Sequence, residues 1–317
     1  MRWQTLYENF FRWKPVEFVI HLSKKIVLPG FDGMPLYDVA VFFIKGLSRG
    51  YITSRASAIS FSFFLAIFPS LIFFFTIIPF IPIANFQQSL LEIIRNFLPD
   101  TAYATVKETV EDIVTRPHGG LLSLGFFLSL YFATNGINSL MEAFNNTFHT
   151  IDTRSAVKQR LYSILLLIIN SFLLIIAIGL ITLGTKVLSH IIPQHILESH
   201  FYFNAIVFLK WLITVGMIFL AISFIYYFAP AKRRQFRFVS AGSSLATLLI
   251  IIITLGFNFY VNNFSKYNIL YGSIGTLLVV LLWIYFNAFS LLIGFELNAS
   301  IHNAKRGSGE IKDLSVS

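Results

Sequence analysis

The sequence has no cysteine and few charged residues. Charged residues make up 12% of its 317 residues, against about 25% in an average soluble domain. The absence of cysteine excludes a disulfide scaffold, a thiolate zinc site and a cysteine nucleophile. The hydrophobic fraction of 56% excludes a disordered chain, because such chains combine low hydrophobicity with high charge. The composition as a whole excludes a conventional soluble globular protein.

The sequence motifs of several enzyme classes are also missing. The chain has no GxxxxGK(S/T) phosphate loop, no HExxH zinc motif and no GxSxG nucleophile elbow. His190, His195 and His200 recur every five residues, a spacing that does not place side chains on one helix face. We expect them to be solvated loop residues rather than metal ligands. We therefore expect no catalytic residue, no metal site, no cofactor and no enzymatic activity.

Long apolar runs are abundant. A helix that crosses about 30 Å of hydrocarbon needs about 20 mostly apolar residues. The chain has six such runs, which soluble cores do not contain, and they predict an all-α polytopic membrane protein. The approximate spans are 57–81, 120–141, 160–185, 206–228, 239–262 and 273–297.

The runs divide the chain into an interfacial region, 1–50, a transmembrane domain, 51–300, and a cytoplasmic tail, 301–317. Aromatic and basic residues alternate in the first region, which predicts amphipathic helices at the membrane interface. A loosely ordered tail over 1–30 stays an alternative. The segment 82–118 carries apolar residues at helical spacing, which predicts an outer helical hairpin acting as a connector or a lid.

The distribution of basic residues predicts the orientation. Eighteen of the 24 Lys and Arg residues lie in the segments that share a side with the N-terminus, and basic residues mark cytoplasmic loops. Both termini are therefore predicted to be cytoplasmic. The whole net charge of +9 falls on that side, where it faces anionic lipid. We expect membrane lipids as partners, anionic lipid on the cytoplasmic side, no nucleic acid, and a capacity to form oligomers.

Polar residues inside the spans are the candidate functional residues, because such groups are costly in a membrane. Asn135, Asn138, Glu142 and Asn145 are spaced by three and four residues, which places them on one face of the second span. They line a cavity, or they form hydrogen bonds between helices. Both interpretations stay open at this point.

The last span carries a second polar set. Asn287 and Asn298 share a face, and Glu296 lies on the opposite side near the cytoplasmic boundary. Arg55 enters the first span at the same level, so a cluster of Arg55, Glu142 and Glu296 is expected within reach, as a structural ion pair more often than a functional one. Pro69, at the centre of the first span, predicts a kink or hinge.

Four segments of the sequence resemble the YihY/BrkB family of bacterial inner-membrane proteins. They are RASAISFSFFLAIFPSL at 55–71, NGINSLMEAFNNTF at 135–148, YYFAPAKRR at 226–234 and YGSIGTLLVVLLWIYFNAFSLLIGFELNA at 271–299. The resemblance implies six transmembrane helices, and it covers nearly the whole membrane region. The family positions fall on Arg55, Pro69, Asn135, Glu142, Tyr271, Gly272, Gly275, Gly294, Glu296 and Asn298.

The resemblance also bears on function. Members of this family were long labelled ribonuclease BN, and some are linked to virulence or serum resistance. Others are associated with siderophore export or with lipid and envelope transport, so it implies no single substrate. We expect a transporter or exporter of an amphipathic, lipid-like or envelope-related solute. A non-transporting membrane organiser or partner of the envelope machinery is the alternative, and a membrane-bound ribonuclease is the interpretation least favoured.

Overall fold

A computed structural model describes most of the chain. The described residues are 14–49, 51–80, 111–112, 116–147, 154–191, 200–231, 238–263 and 266–314. They are helical throughout, with turns and bends between the helices and no strand among them. The all-α prediction is therefore confirmed.

Eight α-helices of ten residues or more lie in this part of the chain. They are α1 Lys14–Ser23, α2 Leu36–Arg49, α3 Ile52–Ile77, α4 Gly119–Thr147, α5 Ala156–Ile191, α6 His200–Phe228, α7 Ala241–Asn263 and α8 Lys266–Leu314. A short 3-10 turn, Ile78–Phe80, follows α3. Helices α3 to α8 are long and apolar enough to cross a membrane, which confirms the predicted number of six such helices.

The helix bounds differ from the predicted spans where polar residues lie near the ends. Helix α3 begins at Ile52, α4 continues to Thr147, and α8 continues to Leu314. A polar residue does not end a helix whose backbone hydrogen bonds are satisfied, so hydropathy marks the apolar part of each helix only. Arg55, Glu142 and Asn145 consequently lie within helices. Most of 82–118 lies outside the described residues, so the outer hairpin stays a prediction.

The second N-terminal helix, α2, packs onto the last helix. A turn containing Gly30 and Gly33, both with positive φ, reverses the chain between α1 and α2. Val39 of α2 is buried together with Ile301 and Ala304 of α8. Other apolar side chains of α2 are exposed, including Ile44. Helix α2 is thus attached to the bundle by one face and presents a second apolar face outward, which fits the predicted interfacial position.

The spanning helices associate in pairs through small residues. Gly125 and Gly136 of α4 lie directly against Phe73 and Phe63 of α3, and Ser62 of α3 shares a hydrogen bond of 2.9 Å with Ser139 of α4. Small residues allow the close backbone approach on which helix packing in membranes depends. Helices α7 and α8 form a second close pair, and α5 packs on α6.

The buried core lies at one end of the bundle, which we call the base. The base holds the start of α3, α5 and α7 and the end of α4 and α6. Phe144 of α4 stacks on Phe295 of α8 with ring centroids 4.0 Å apart, and Tyr226 of α6 meets both rings edge-on. All six spanning helices contribute buried residues to this cluster. The base is the end that the charge distribution predicts to be cytoplasmic.

Candidate functional site

Arg55 joins three helices at the base. Its Nη1 donates hydrogen bonds of 2.7 Å to the Ala143 carbonyl and to Thr147 Oγ1, both on α4. Its Nη2 lies 4.0 Å from Glu296 Oε2 on α8. The Arg55 side chain is 11% exposed and that of Glu296 is 9% exposed. The two charges therefore form a nearly buried ion pair that ties α3 to α4 and α8.

Glu296 also contacts the N-terminal helix α2. The carboxylate occupies the space that a Cβ at position 46 would need, so a larger residue there would force the carboxylate or α2 to shift. Ser300 donates a 2.8 Å hydrogen bond to the Glu296 backbone carbonyl. One carboxylate therefore contacts α2 and pairs with α3. The predicted pairing of Arg55 with Glu296 agrees with this geometry.

Glu142 takes no part in the ion pair, contrary to the expected cluster of three charged residues. It is exposed, and its Oε1 accepts a 3.2 Å hydrogen bond from Asn138 Nδ2 one turn away. Ala143, the next residue along α4, faces α3 and receives Arg55. A rotation of about 100° per residue turns Glu142 away from that contact. The main-chain carbonyl of Ala143 and the Thr147 hydroxyl take the place expected for Glu142.

Two predicted site residues form hydrogen bonds between helices. Asn145 is buried, and its Oδ1 accepts a 3.0 Å bond from the Ala231 amide after α6. Asn298 Oδ1 accepts a 2.8 Å bond from the Gly242 amide in the first turn of α7, and its Nδ2 donates to Ser240 Oγ at 2.9 Å. Asn298 thus satisfies an amide that a helix start leaves without an intrahelical partner. These contacts favour the packing interpretation for both residues.

Three further predicted positions, Asn287, Pro69 and Gly294, lie on α3 and α8. Asn287 donates a 2.7 Å bond to the Trp283 carbonyl within α8. Helix α3 is continuous through Pro69, which is buried, so a hinge there stays a prediction. Gly294 lies against Gly242, where the α7 and α8 backbones approach closely. Of the three spaced histidines, His190 lies in the last turn of α5 and His200 begins α6, so the loop position expected for these two is wrong, because both helices continue past the apolar runs. His195 lies outside the described residues.

The remaining polar residues of α4 form a stripe on its outward face. We call Tyr131, Asn135, Asn138 and Glu142 the α4 stripe. Asn135 and Asn138 are half-buried, while Tyr131 and Glu142 are exposed. Gly136 and Ser139 face α3. Three other side chains, those of Ile137, Leu140 and Phe144, lie in the buried core. The stripe therefore occupies the third face of α4, and Asn145, which sequence spacing placed on it, turns inward instead.

Arg160 of α5 lies at one end of the α4 stripe. Its Nη2 donates a 3.1 Å hydrogen bond to the Tyr131 carbonyl, and its guanidinium lies 4.8 Å from the centre of the Tyr131 ring. Arg160 is not among the site residues predicted from the sequence. The available signal was an arginine that opens an otherwise apolar run at 160–185. Spacing along one helix could not show that it meets the stripe on another.

Titratable metal ligands do not cluster in the described part of the chain. No group of three or more His, Asp or Glu residues that could hold a metal ion is present there. The basic segment 232–237 lies outside the described residues. The geometry described above therefore consists of one buried ion pair and one outward polar stripe, both built on α4 and its neighbours.

Comparison with known proteins identifies relatives of the chain. The family described as "Virulence factor BrkB" matches residues 43–315. The ribonuclease-like protein YfkH of Bacillus subtilis is 29% identical over 83% of this chain and 96% of its own length. A UPF0761 membrane protein of Alteromonas mediterranea is 26% identical over 85% of this chain and 89% of its own length.

A second UPF0761 membrane protein, from Mannheimia succiniciproducens, is 26% identical over 82% of this chain and 88% of its own length. No solved structure matches the chain. The family match covers most of the chain, including every charged and polar residue described above. With six helices able to span a membrane, the chain is an integral membrane protein and belongs to the BrkB family.

Proposed function

We propose that this protein moves an amphipathic, lipid-like or envelope-related solute across the bacterial inner membrane, with both termini in the cytoplasm. The observation that carries the proposal is the α4 stripe. Its amides and carboxylate belong to a spanning helix, yet they are half-buried or exposed on the outside of the bundle. Lipid chains cannot satisfy such groups, and polar groups at this depth are by default functional candidates.

The dimensions of the stripe suit a headgroup. From Tyr131 to Glu142 it extends about 16 Å at 1.5 Å per residue, roughly half of a hydrocarbon core of about 30 Å. Beyond Tyr131 the same face continues with exposed apolar side chains, Phe127 and Leu124. A solute with a polar head and an apolar tail can therefore keep its head on the amides while its tail stays against lipid and the apolar part of α4.

The charge asymmetry supports the proposed orientation. The base carries the segments in which most Lys and Arg residues lie, and such segments are retained on the cytoplasmic side. Glu142, the base end of the stripe, then lies closest to the cytoplasmic leaflet. The solute would enter the stripe from that leaflet.

The proposal includes no nuclease activity, although a relative is named ribonuclease-like. Nuclease chemistry needs a general acid and base, or a metal cage, gathered at one accessible place. Glu296 is held by Arg55 in a nearly buried pair, while Glu142 accepts a bond from Asn138 on another face. These two carboxylates at the base are therefore held apart by their own partners.

Proteoliposomes test the proposal. Fluorescent phosphatidylglycerol and phosphatidylethanolamine, labelled on one chain, report movement between leaflets when dithionite bleaches the outer leaflet. We expect faster movement than in protein-free vesicles, a strong loss in Asn138→Leu, and no loss in Asn287→Leu, a matched amide that donates to the Trp283 carbonyl of its own helix. Equal rates with and without protein would favour the organiser alternative. Equal rates in both variants would remove the stripe from the mechanism.

A further inference from the structure

Resting on the proposed function, we propose that Arg160 and the neighbouring α4 stripe bind the phosphate of an anionic lipid headgroup, which names the solute class. Arg160 has few partners among the described residues. Its contacts within the described residues are the Tyr131 carbonyl at 3.1 Å and the Tyr131 ring at 4.8 Å. A guanidinium carries five N–H donors, so most of its donors stay available.

Arg55 is a useful comparison, because its guanidinium is paired within the bundle. Its guanidinium is nearly buried, donates to a carbonyl and a hydroxyl, and faces Glu296. Arg160 is half-exposed and faces no carboxylate among the residues that the structure describes. A charge in an apolar helix is costly unless it is paired. No described carboxylate supplies a counter-ion for Arg160, and the phosphate of a bound lipid would supply one.

The direction of the Arg160 side chain supports a ligand inside the membrane. Arginines near a helix end ordinarily extend toward the interface and water. Arg160 lies in the second turn of α5 but reaches Tyr131, which lies about 18 Å along α4 from Gly119, near the middle of that helix. The guanidinium is therefore held toward the membrane interior, where a phosphate drawn out of the headgroup layer would meet it.

Neighbouring residues of α4 supply an amide donor and an apolar surface for the lipid. Asn135 is one turn from Tyr131 and half-buried, and its side-chain amide makes no hydrogen bond to the described residues, so it is free to donate to a phosphate oxygen. Phe127, 66% exposed, continues the same face with apolar surface. Guanidinium and amide donors beside an apolar surface match the two halves of a phospholipid.

A second copy of this chain fits the same surface less well. Membrane dimers of identical topology are related by an axis along the membrane normal, so groups at equal depth face each other. Such a dimer through the stripe would oppose Arg160 to Arg160 and Glu142 to Glu142. Like charges facing each other at low dielectric are strongly unfavourable. A lipid phosphate neutralises Arg160 without this penalty.

The test is equilibrium binding to the full-length protein in a neutral detergent. The probe is fluorescent phosphatidylglycerol, displaced by dioctanoyl phosphatidylglycerol, by inorganic phosphate or by dioctanoylglycerol. We expect the short-chain phospholipid to compete far better than the other two compounds. Competition by inorganic phosphate at similar concentration would indicate a free-phosphate site, and competition by dioctanoylglycerol would indicate apolar contact alone. Either result would overturn the proposal.

Substitutions of Arg160 and Lys158 test whether Arg160 binds the lipid phosphate. Arg160→Leu should weaken binding at least about tenfold, the effect of losing one charge-assisted hydrogen bond. Lys158→Leu, which removes the same charge from an exposed position two residues away, should bind like the wild type. Arg160→Lys keeps the charge but loses the planar fork, so it should bind with intermediate affinity and serves if the leucine variant fails to fold. Wild-type affinity in both Arg160 variants would overturn the site.

The same variants separate the two proposals. Arg160-dependent lipid binding with no lipid movement in proteoliposomes would refute the transport function and leave the site standing. Lipid movement that persists in both Arg160 variants, together with unchanged binding, would refute the site and leave the transport function standing.

Discussion

Arg55 and Glu296 form a nearly buried ion pair, with Nη2 and Oε2 4.0 Å apart, and the Glu296 carboxylate also lies directly against Gly46 of α2. The pair connects the first turn of α3 to the base half of α8 and to helix α2. The pair meets α4 at Ala143 and Thr147 rather than at the α4 stripe, so its structural role can be tested separately from transport.

Removing one partner should destabilise the fold more than removing both. Glu296→Met leaves Arg55 as an uncompensated charge and should cost about 3–5 kcal/mol, whereas replacing both partners by methionine should recover much of the loss. Thermal unfolding followed by intrinsic fluorescence in detergent measures the difference. Glu142→Gln, at an exposed carboxylate, is the control and should change stability by less than about 0.5 kcal/mol. Equal losses in the single and double variants would contradict the pairing.

Gly46→Ala should loosen α2 from the bundle. The added Cβ collides with the Glu296 carboxylate, so either α2 or the ion pair must move. We expect a lower unfolding temperature and faster protease cleavage between α2 and α3. Gly216→Ala in α6 is the matched control, because nothing lies within 4 Å of its Cβ position. It should be neutral or stabilising by up to about 1 kcal/mol. The same behaviour in both variants would show that the close contact carries no energy.

Asn298 should matter for stability and Asn287 should not. Asn298→Ala removes the acceptor of the Gly242 amide and the donor to Ser240, which should cost about 1 kcal/mol, as losing a helix cap does. Among the described residues, Asn287 bonds to a carbonyl of its own helix alone, so its alanine variant should unfold close to the wild-type temperature. The opposite order of the two unfolding temperatures would contradict the assigned contacts.

The natural absence of cysteine allows a clean test of orientation. Arg116, 77% exposed beyond the far end of the bundle, and Ser155, exposed at the base, can each be replaced by a single cysteine. A membrane-impermeant maleimide should label Arg116→Cys in intact spheroplasts, and Ser155→Cys only in inside-out vesicles. The reverse labelling would place the termini outside and would contradict the prediction from charge.

The helices could be predicted from the sequence because hydropathy and length decide whether a segment spans a membrane. Their ends could not, because Arg55 and Thr147 are satisfied by each other across α3 and α4. That contact lets polar residues stay helical where hydropathy falls.

Residue spacing placed Asn135, Asn138, Glu142 and Asn145 on one side of α4 but could not identify the neighbour of each. The neighbour decides the role: Asn145 meets the chain after α6, while Asn138 and Glu142 bond to each other outside the bundle. The similar depth of Arg55 and Glu296 along their helices correctly predicted that the two residues lie close together. The contact with Gly46 depends on how α2 folds back onto α8, which no local pattern encodes.

The most direct test of the central claim, that a headgroup travels along the α4 stripe, is photo-crosslinking of the unmodified protein in proteoliposomes. The reagent is phosphatidylglycerol with a photoreactive diazirine in its headgroup, and adducts are mapped by mass spectrometry. We expect adducts on α4 between Tyr131 and Glu142, at depths that the headgroups of bulk lipids do not reach. Adducts confined to the ends of the helices would contradict it.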